Sequence, residues 1–188
     1  MNNWDSRILD TLYDGTASEK LAWAHLLHKK YFQHSASIPG LQEELEQLRR
    51  EAGLLAGHMC HMNLPELCGR CASGKGGGCC SAYMAGNTDS PQILINLMLD
   101  IEVTPQSTST DSCCFLGKRG CLFLIKPIFC LNYNCTAIVQ TEDKPQLAQL
   151  YRRMGDVLSR QTVIESILLQ SLRHQHANLP ELMTSATL

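Results

Sequence analysis

All ten cysteines of this 188-residue chain lie between Cys60 and Cys135, and the segments on either side carry none. Four of them fall in one glycine-rich stretch, LCGRCASGKGGGCCSAY at 67–83, two of them adjacent. A chain of this length buries an ordinary core without covalent staples, so the thiols are not needed merely to make it fold. Either they bridge one another or they hold something.

The expected compartment separates the two readings. The start, MNNWDSRILDTLYDG, has acids and a Trp where an export signal has a basic start and an apolar core. Eighteen consecutive apolar residues occur nowhere, so no spanning helix and no membrane partner are predicted. The expectation is a cytoplasmic protein. In a reducing cytosol structural disulfides are rare, and clustered thiols bind metal or do redox work. The formal charge of −2 gives no global footprint for nucleic acid.

The flanks read as helices, and the chain as a single domain over 1–188. Thr16 with Glu19 forms a capping-box signature, and Leu21, Ala24, His28 and Phe32 share one side of a helix to about His34. Ser37 and Pro39 open a second helix with Leu41, Leu45, Leu48, Ala52 and Leu55 as its apolar stripe, completing an N-terminal unit over 1–57. Asp143 and Pro145 start a long helix within 142–175, its face running Leu147, Leu150, Met154, Val157, Ile164, Leu168 and Leu172. Such a helix offers a surface for a second copy or a protein partner. Residues 176–188 show no pattern and read as a loose tail. Within the cysteine region, 58–141, Ser90 and Pro91 start a short helix, and CLFLI at 121–125 reads either as a short strand or as an apolar wrap. The predicted fold is mostly α, a helical shell around an irregular cysteine-rich centre with at most one short β element.

The spacings carry the chemistry. In Cys68-x2-Cys71-x7-Cys79-Cys80 the first pair suits chelation through a tight turn, whereas the side chains of the adjacent pair diverge and would not both bind one ion terminally. Gly74, Gly76, Gly77 and Gly78 let backbone pass close to a bulky inorganic group. The second set is Cys113-Cys114-x6-Cys121-x8-Cys130-x4-Cys135, with Lys118 and Arg119 expected to favour thiolate over thiol at the turn between Cys114 and Cys121. Cys130-x4-Cys135 is a helical-turn spacing expected to bring both thiols to one face, and Cys114 is expected to pack rather than ligate.

CGRCASGKGGGCC followed by CCFLGKRGCLFLIKPIFC resembles the YkgJ-like proteins, a family described as a zinc- or iron-chelating domain of CxxCxxCC type. On that resemblance Cys68, Cys71, Cys79 and Cys80 take the first motif, Cys113 with Phe115 and Leu116 the second, Cys121 the next position, and Lys126, Pro127 and Cys130 the last. The match covers 68–135. The chain departs from the family in a longer Cys71–Cys79 interval, in Cys114 where Pro is usual, in Lys126 for Arg, and in Cys135, which has no place in the family pattern. The resemblance implies metal ligation by Cys68, Cys71, Cys79, Cys80, Cys113, Cys121 and Cys130; spacing adds Cys135.

Other chemistries find less. HMCHM at 58–62 offers His58, Cys60 and His61 as donors, although a His at a helix end is more often a cap or surface residue. His25 and His28 lack the Glu-x-x-His partners of a di-iron bundle. GKGGGCC lacks the Gly-Lys-Ser/Thr ending of a phosphate loop. Soft all-sulfur ligation admits both an iron–sulfur cluster and zinc; adjacent cysteines and a glycine loop fit a bulky cluster better than a compact ion. The expected function is a metal-binding module for electron transfer, metal handling or structure. The alternative is a metalloenzyme of methyltransferase or oxidoreductase type, which the resemblance permits because a flagellin lysine methylase shares the cysteine motif. Such an enzyme needs a cosubstrate site, and no motif for one is present.

Overall fold

The computed structural model describes residues 9–33, 37–72, 80–106, 112–117, 120–131, 135–141 and 143–174. The predicted tail, the glycine run with Cys79, and Lys118 with Arg119 lie outside these residues. Among the described residues the fold is mostly helical, with one antiparallel pair of two-residue strands.

Helix α1 (Ala17–Leu27) starts where the capping box places it: Thr16 accepts from the Glu19 N–H, and the Glu19 carboxylate takes the Thr16 N–H at 2.7 Å. Its buried face is Lys20, Ala24 and Leu27, one position round from the predicted stripe. Lys20 is only 4% exposed and carries its charge out of the apolar layer by donating from Nζ to the Gly86 carbonyl at 2.7 Å. An α-helix would next bury position 31. The chain instead winds a π-helical turn over His28–Phe32, and that extra residue sets Phe32 into the core while Tyr31 stays half-buried.

Helix α2 (Leu41–His61) follows Gly40, whose φ of 76° is one that a side chain would resist. Its whole predicted stripe is buried, and the same face adds His58. After Asn63, at φ 55°, the chain turns into α3 (Leu64–Ala72). Two short helices follow, α4 (Ala82–Gly86) and α5 (Ser90–Met98). Strands β1 (Leu116–Gly117) and β2 (Gly120–Cys121) pair with Leu116 opposite Cys121. Helices α6 (Ile128–Leu131), α7 (Thr136–Thr141) and α8 (Lys144–His174) complete the order. CLFLI is therefore mostly wrap, with only Cys121 in a strand.

Two pairings organise the core. The longest helices, α2 and α8, make the most extensive contact, and α1 packs against α5. From Leu150 to Leu172 the predicted face of α8 is buried in the chain, with Gln161 filling the step between Val157 and Ile164, while Leu147 stays half-buried. Arg160 reaches across to α2 and meets Glu44 and Glu51, its Nε 2.9 Å from the latter. Helix α5 is buried on every side from Ser90 to Leu97, which makes it the hub of the fold. No described helix is long and apolar enough to cross a membrane.

The start of α5 carries a measurable consequence. Asp89 caps it, taking the Gln92 N–H at 2.7 Å. Burial pushes the Asp89 carboxyl up to about 6, against the pull of that hydrogen bond and of Lys20; Glu165 adds to the rise. The folded chain therefore binds this proton more readily than the unfolded one. Its share of stability is present below the ordinary carboxylate range and is lost as pH rises through about 6. Asp89→Asn keeps the cap and removes the charge. It should raise stability at pH 7 by roughly 1–2 kcal/mol and flatten the dependence between about pH 4 and 6. Urea unfolding at a series of pH values reads this directly; an unchanged slope in the variant would sink it.

Candidate metal centre

Cys60 lies at the end of α2, and the turn at Met62–Asn63 lays α3 beside it, with Pro65 tolerated in the first helical turn. Cys68 and Cys71 are thus i, i+3 on a helix; the tight chelating turn expected from Cys-x2-Cys is replaced by a helical one. Helix α3 also touches β2, which carries Cys121.

The two cysteine sets are sewn together by backbone. The Cys113 N–H donates to the Cys80 carbonyl at 2.9 Å, and Ser81 bridges Ser112 in antiparallel fashion. The Leu122 N–H reaches the Phe115 carbonyl at 3.0 Å, extending the hairpin. Gly120, at φ 109°, lets the chain reverse there. Phe115 and Phe123 pack their rings at 4.8 Å behind it. Pro127 opens α6, its carbonyl taking the Cys130 N–H at 2.9 Å. The Cys135 carbonyl starts α7 by accepting from Ile138 and Val139. The predicted single helical turn through Cys130 and Cys135 is thus replaced by two separate helices.

A cavity of about 220 Å³ opens among these elements, and six of the described cysteines line it: Cys60, Cys68, Cys80, Cys113, Cys121 and Cys130. A second, of about 90 Å³, adjoins it and shares Cys68, Cys130, Met59 and Leu64 with it. It adds Cys71 and Cys135, so eight of the nine described cysteines line one or the other. The ninth, Cys114, lines neither; it packs half-buried against the core, and its carbonyl takes the Gln106 N–H at 2.8 Å. Burial around one centre was expected, but Cys71 and Cys130 are exposed and the rest of the predicted set that is described is half-buried. Cys79 lies outside the described residues.

No disulfide joins the described cysteines. Nor, among the described residues, do three His, Cys, Asp or Glu side chains converge closely enough to hold an ion as they stand. The thiols line walls, and a χ1 rotation decides whether a cysteine points into a cavity that it borders. A Cβ at Gly69 or Gly120, both on the larger cavity, would meet nothing within 4 Å, so bulky material has room there.

Burial pushes the Cys113 thiol up to about 11, against the Phe115 N–H that favours its thiolate, and Cys121 and Cys114 add to the rise. Burial also raises Cys121 and Cys114. The basic turn was expected to favour thiolates; desolvation prevails instead, although Lys126 on the cavity wall works against it at Cys121. A raised pKa is the opposite of what a lone cysteine nucleophile requires.

His58 is not a cap or surface residue: it is buried, 3.0 Å from the Gln146 carbonyl on α8, and lines neither cavity. Sequence reasoning missed the polar core behind the site. The Asn96 amide donates to the Ile125 carbonyl at 2.9 Å, and its oxygen takes the Ile125 N–H at 3.0 Å. Gln92 donates to the same carbonyl, and Gln161 on α8 donates to Gln92 and to the Lys126 carbonyl. These side chains hold the segment that leads from Cys121 to Cys130. The available signal was Gln92 and Asn96 at i, i+4 in the otherwise apolar run QILINLM.

No family model, curated protein or solved structure matches this chain.

Proposed function

We propose that this is a cysteine-ligated metal-binding protein, the larger cavity holding an iron–sulfur cluster in preference to zinc, and that it serves as an electron-transfer, metal-handling or structural module. The observation that carries this reading is the gathering of eight cysteines, from segments as far apart as Cys60 and Cys135, on the walls of two adjoining cavities. Buried thiols of raised pKa are poor nucleophiles, but a metal displaces their protons on binding. The free space beside Gly69 and Gly120 suits a cluster more than a lone ion. We place the chain in the cytoplasm, where clustered thiols stay reduced and able to bind metal, and its charge balance of 16 basic and 18 acidic residues favours neither nucleic acid nor an anionic lipid surface.

Anaerobic purification followed by a visible spectrum and metal and sulfide analysis tests the proposal. Brown protein with iron and acid-labile sulfide is the expected result. Colourless protein with bound zinc would keep the thiolate site and change its occupant. A chain that takes up neither metal would overturn the reading.

A further inference from the structure

Resting on that reading, we propose that eight of the described cysteines form two metal centres of four thiols each, and that Cys60, which lies outside the family pattern, belongs to one of them. The division follows the cavities. Of the described cysteines, four border the larger alone, Cys60, Cys80, Cys113 and Cys121. The smaller has Cys71 and Cys135 of its own. Cys68 and Cys130 stand on the wall between and border both. Assigning those two to the smaller cavity gives four thiolates on each side, the number that a tetrahedral zinc or ferrous ion, or one cubane cluster, requires.

Volume and exposure assign the occupants. The inner space of about 220 Å³, with half-buried Cys80, Cys113 and Cys121, has room for a cluster. The outer space of about 90 Å³ suits one ion. Two of the four outer ligands, Cys71 and Cys130, are exposed, against Cys60 alone among the inner four, so water and chelators reach the outer ion more readily. The outer centre is therefore the exchangeable one. Binding replaces thiol protons with metal, and nothing is oxidised or reduced. Thiolate ligands leave the larger centre negatively charged, and Lys126 is a cation on its wall.

Cobalt(II) titration of the reduced, metal-free, full-length chain under argon tests this, because tetrahedral thiolate ligation gives cobalt a distinct visible absorbance. The wild type should saturate at two equivalents. A Cys71→Ser/Cys135→Ser variant should saturate at one, and so should Cys60→Ser/Cys113→Ser. The equivalent that survives in the second variant should leave fastest on addition of chelator. Wild-type saturation at one equivalent, or loss of both in either double variant, would overturn the two-centre arrangement. Absence of any thiolate absorbance in the wild type would instead overturn metal binding itself. Far-ultraviolet circular dichroism checks folding, and should a double variant unfold, Cys71→Ser alone reports the outer centre, as Cys71 is exposed.

Discussion

Metal-loaded protein stripped with a strong chelator should become open to protease between Gly69 and Tyr83 while keeping most of its far-ultraviolet helicity. Most of that helicity lies in α1, α2, α5 and α8, whose apolar faces are buried largely against one another. Helices α2 and α8 meet the cysteine cavities only at Ala56, Met59 and Cys60 and at Leu150, Tyr151 and Met154. Metal at a structural thiolate site contributes on the order of 10 kcal/mol, and here it would join α3 to the hairpin across the cavity. The glycine and Ser/Thr content of 68–135 suggests that this whole region depends on metal. The structure narrows the dependence, because Phe115 at 1%, Phe123 at 3%, Ile125 at 0% and Leu131 at 3% exposure all sit in the core. Residues 112–117 and 120–131 should therefore stay protected in the apo chain, and cutting should concentrate nearer α3. Limited proteolysis with and without chelator decides it. Equal resistance of the two forms near α3 would mean that the cysteines do not organise this part of the fold.

Asn96→Leu should cost roughly 2–4 kcal/mol, from an orphaned buried N–H on Ile125 together with imperfect filling of the site. Gln92 still serves the Ile125 carbonyl, which limits the loss there. Because the Ile125 segment runs between Cys121 and Cys130, the same change should weaken metal retention although Asn96 lines neither cavity. Urea unfolding gives the first quantity, and chelator competition the second. A variant within about 0.5 kcal/mol of the wild type would show that the network is dispensable.

The long elements were legible because their apolar residues repeat at the helical period over many turns. The stripe from Leu41 to Leu55 and the face from Leu150 to Leu172 were both found this way, and so was the capping box at Thr16. Period analysis failed where one residue breaks the count. The π turn at His28 shifts Phe32 inward, and a buried Lys20 reads as polar although its stem is in the core. At the site, spacing identified the cysteines but could not say what backbone lies between them. Cys68 and Cys71 ride a helix, whereas Cys130 lies in α6 and Cys135 just ahead of α7. Cys60 stood out only as one donor of HMCHM, outside the family pattern, and its place on the cavity follows from the turn at Asn63 between α2 and α3. Asn96 and Gln92 were invisible to hydropathy because their partner is backbone, which the sequence does not display.

The order of the pieces along the chain adds a constraint on synthesis. Every cysteine precedes Lys144, where α8 begins, so a growing chain presents its complete set of thiols before it has made the helix that covers α2. Until Leu172 emerges, the stripe from Leu41 to Leu55 has no lasting cover, and captured metal cannot provide one, because the cavities touch α2 only at Ala56, Met59 and Cys60. Loading and closure are thus separate events in time, the thiols being ready first and the hydrophobic seal arriving last.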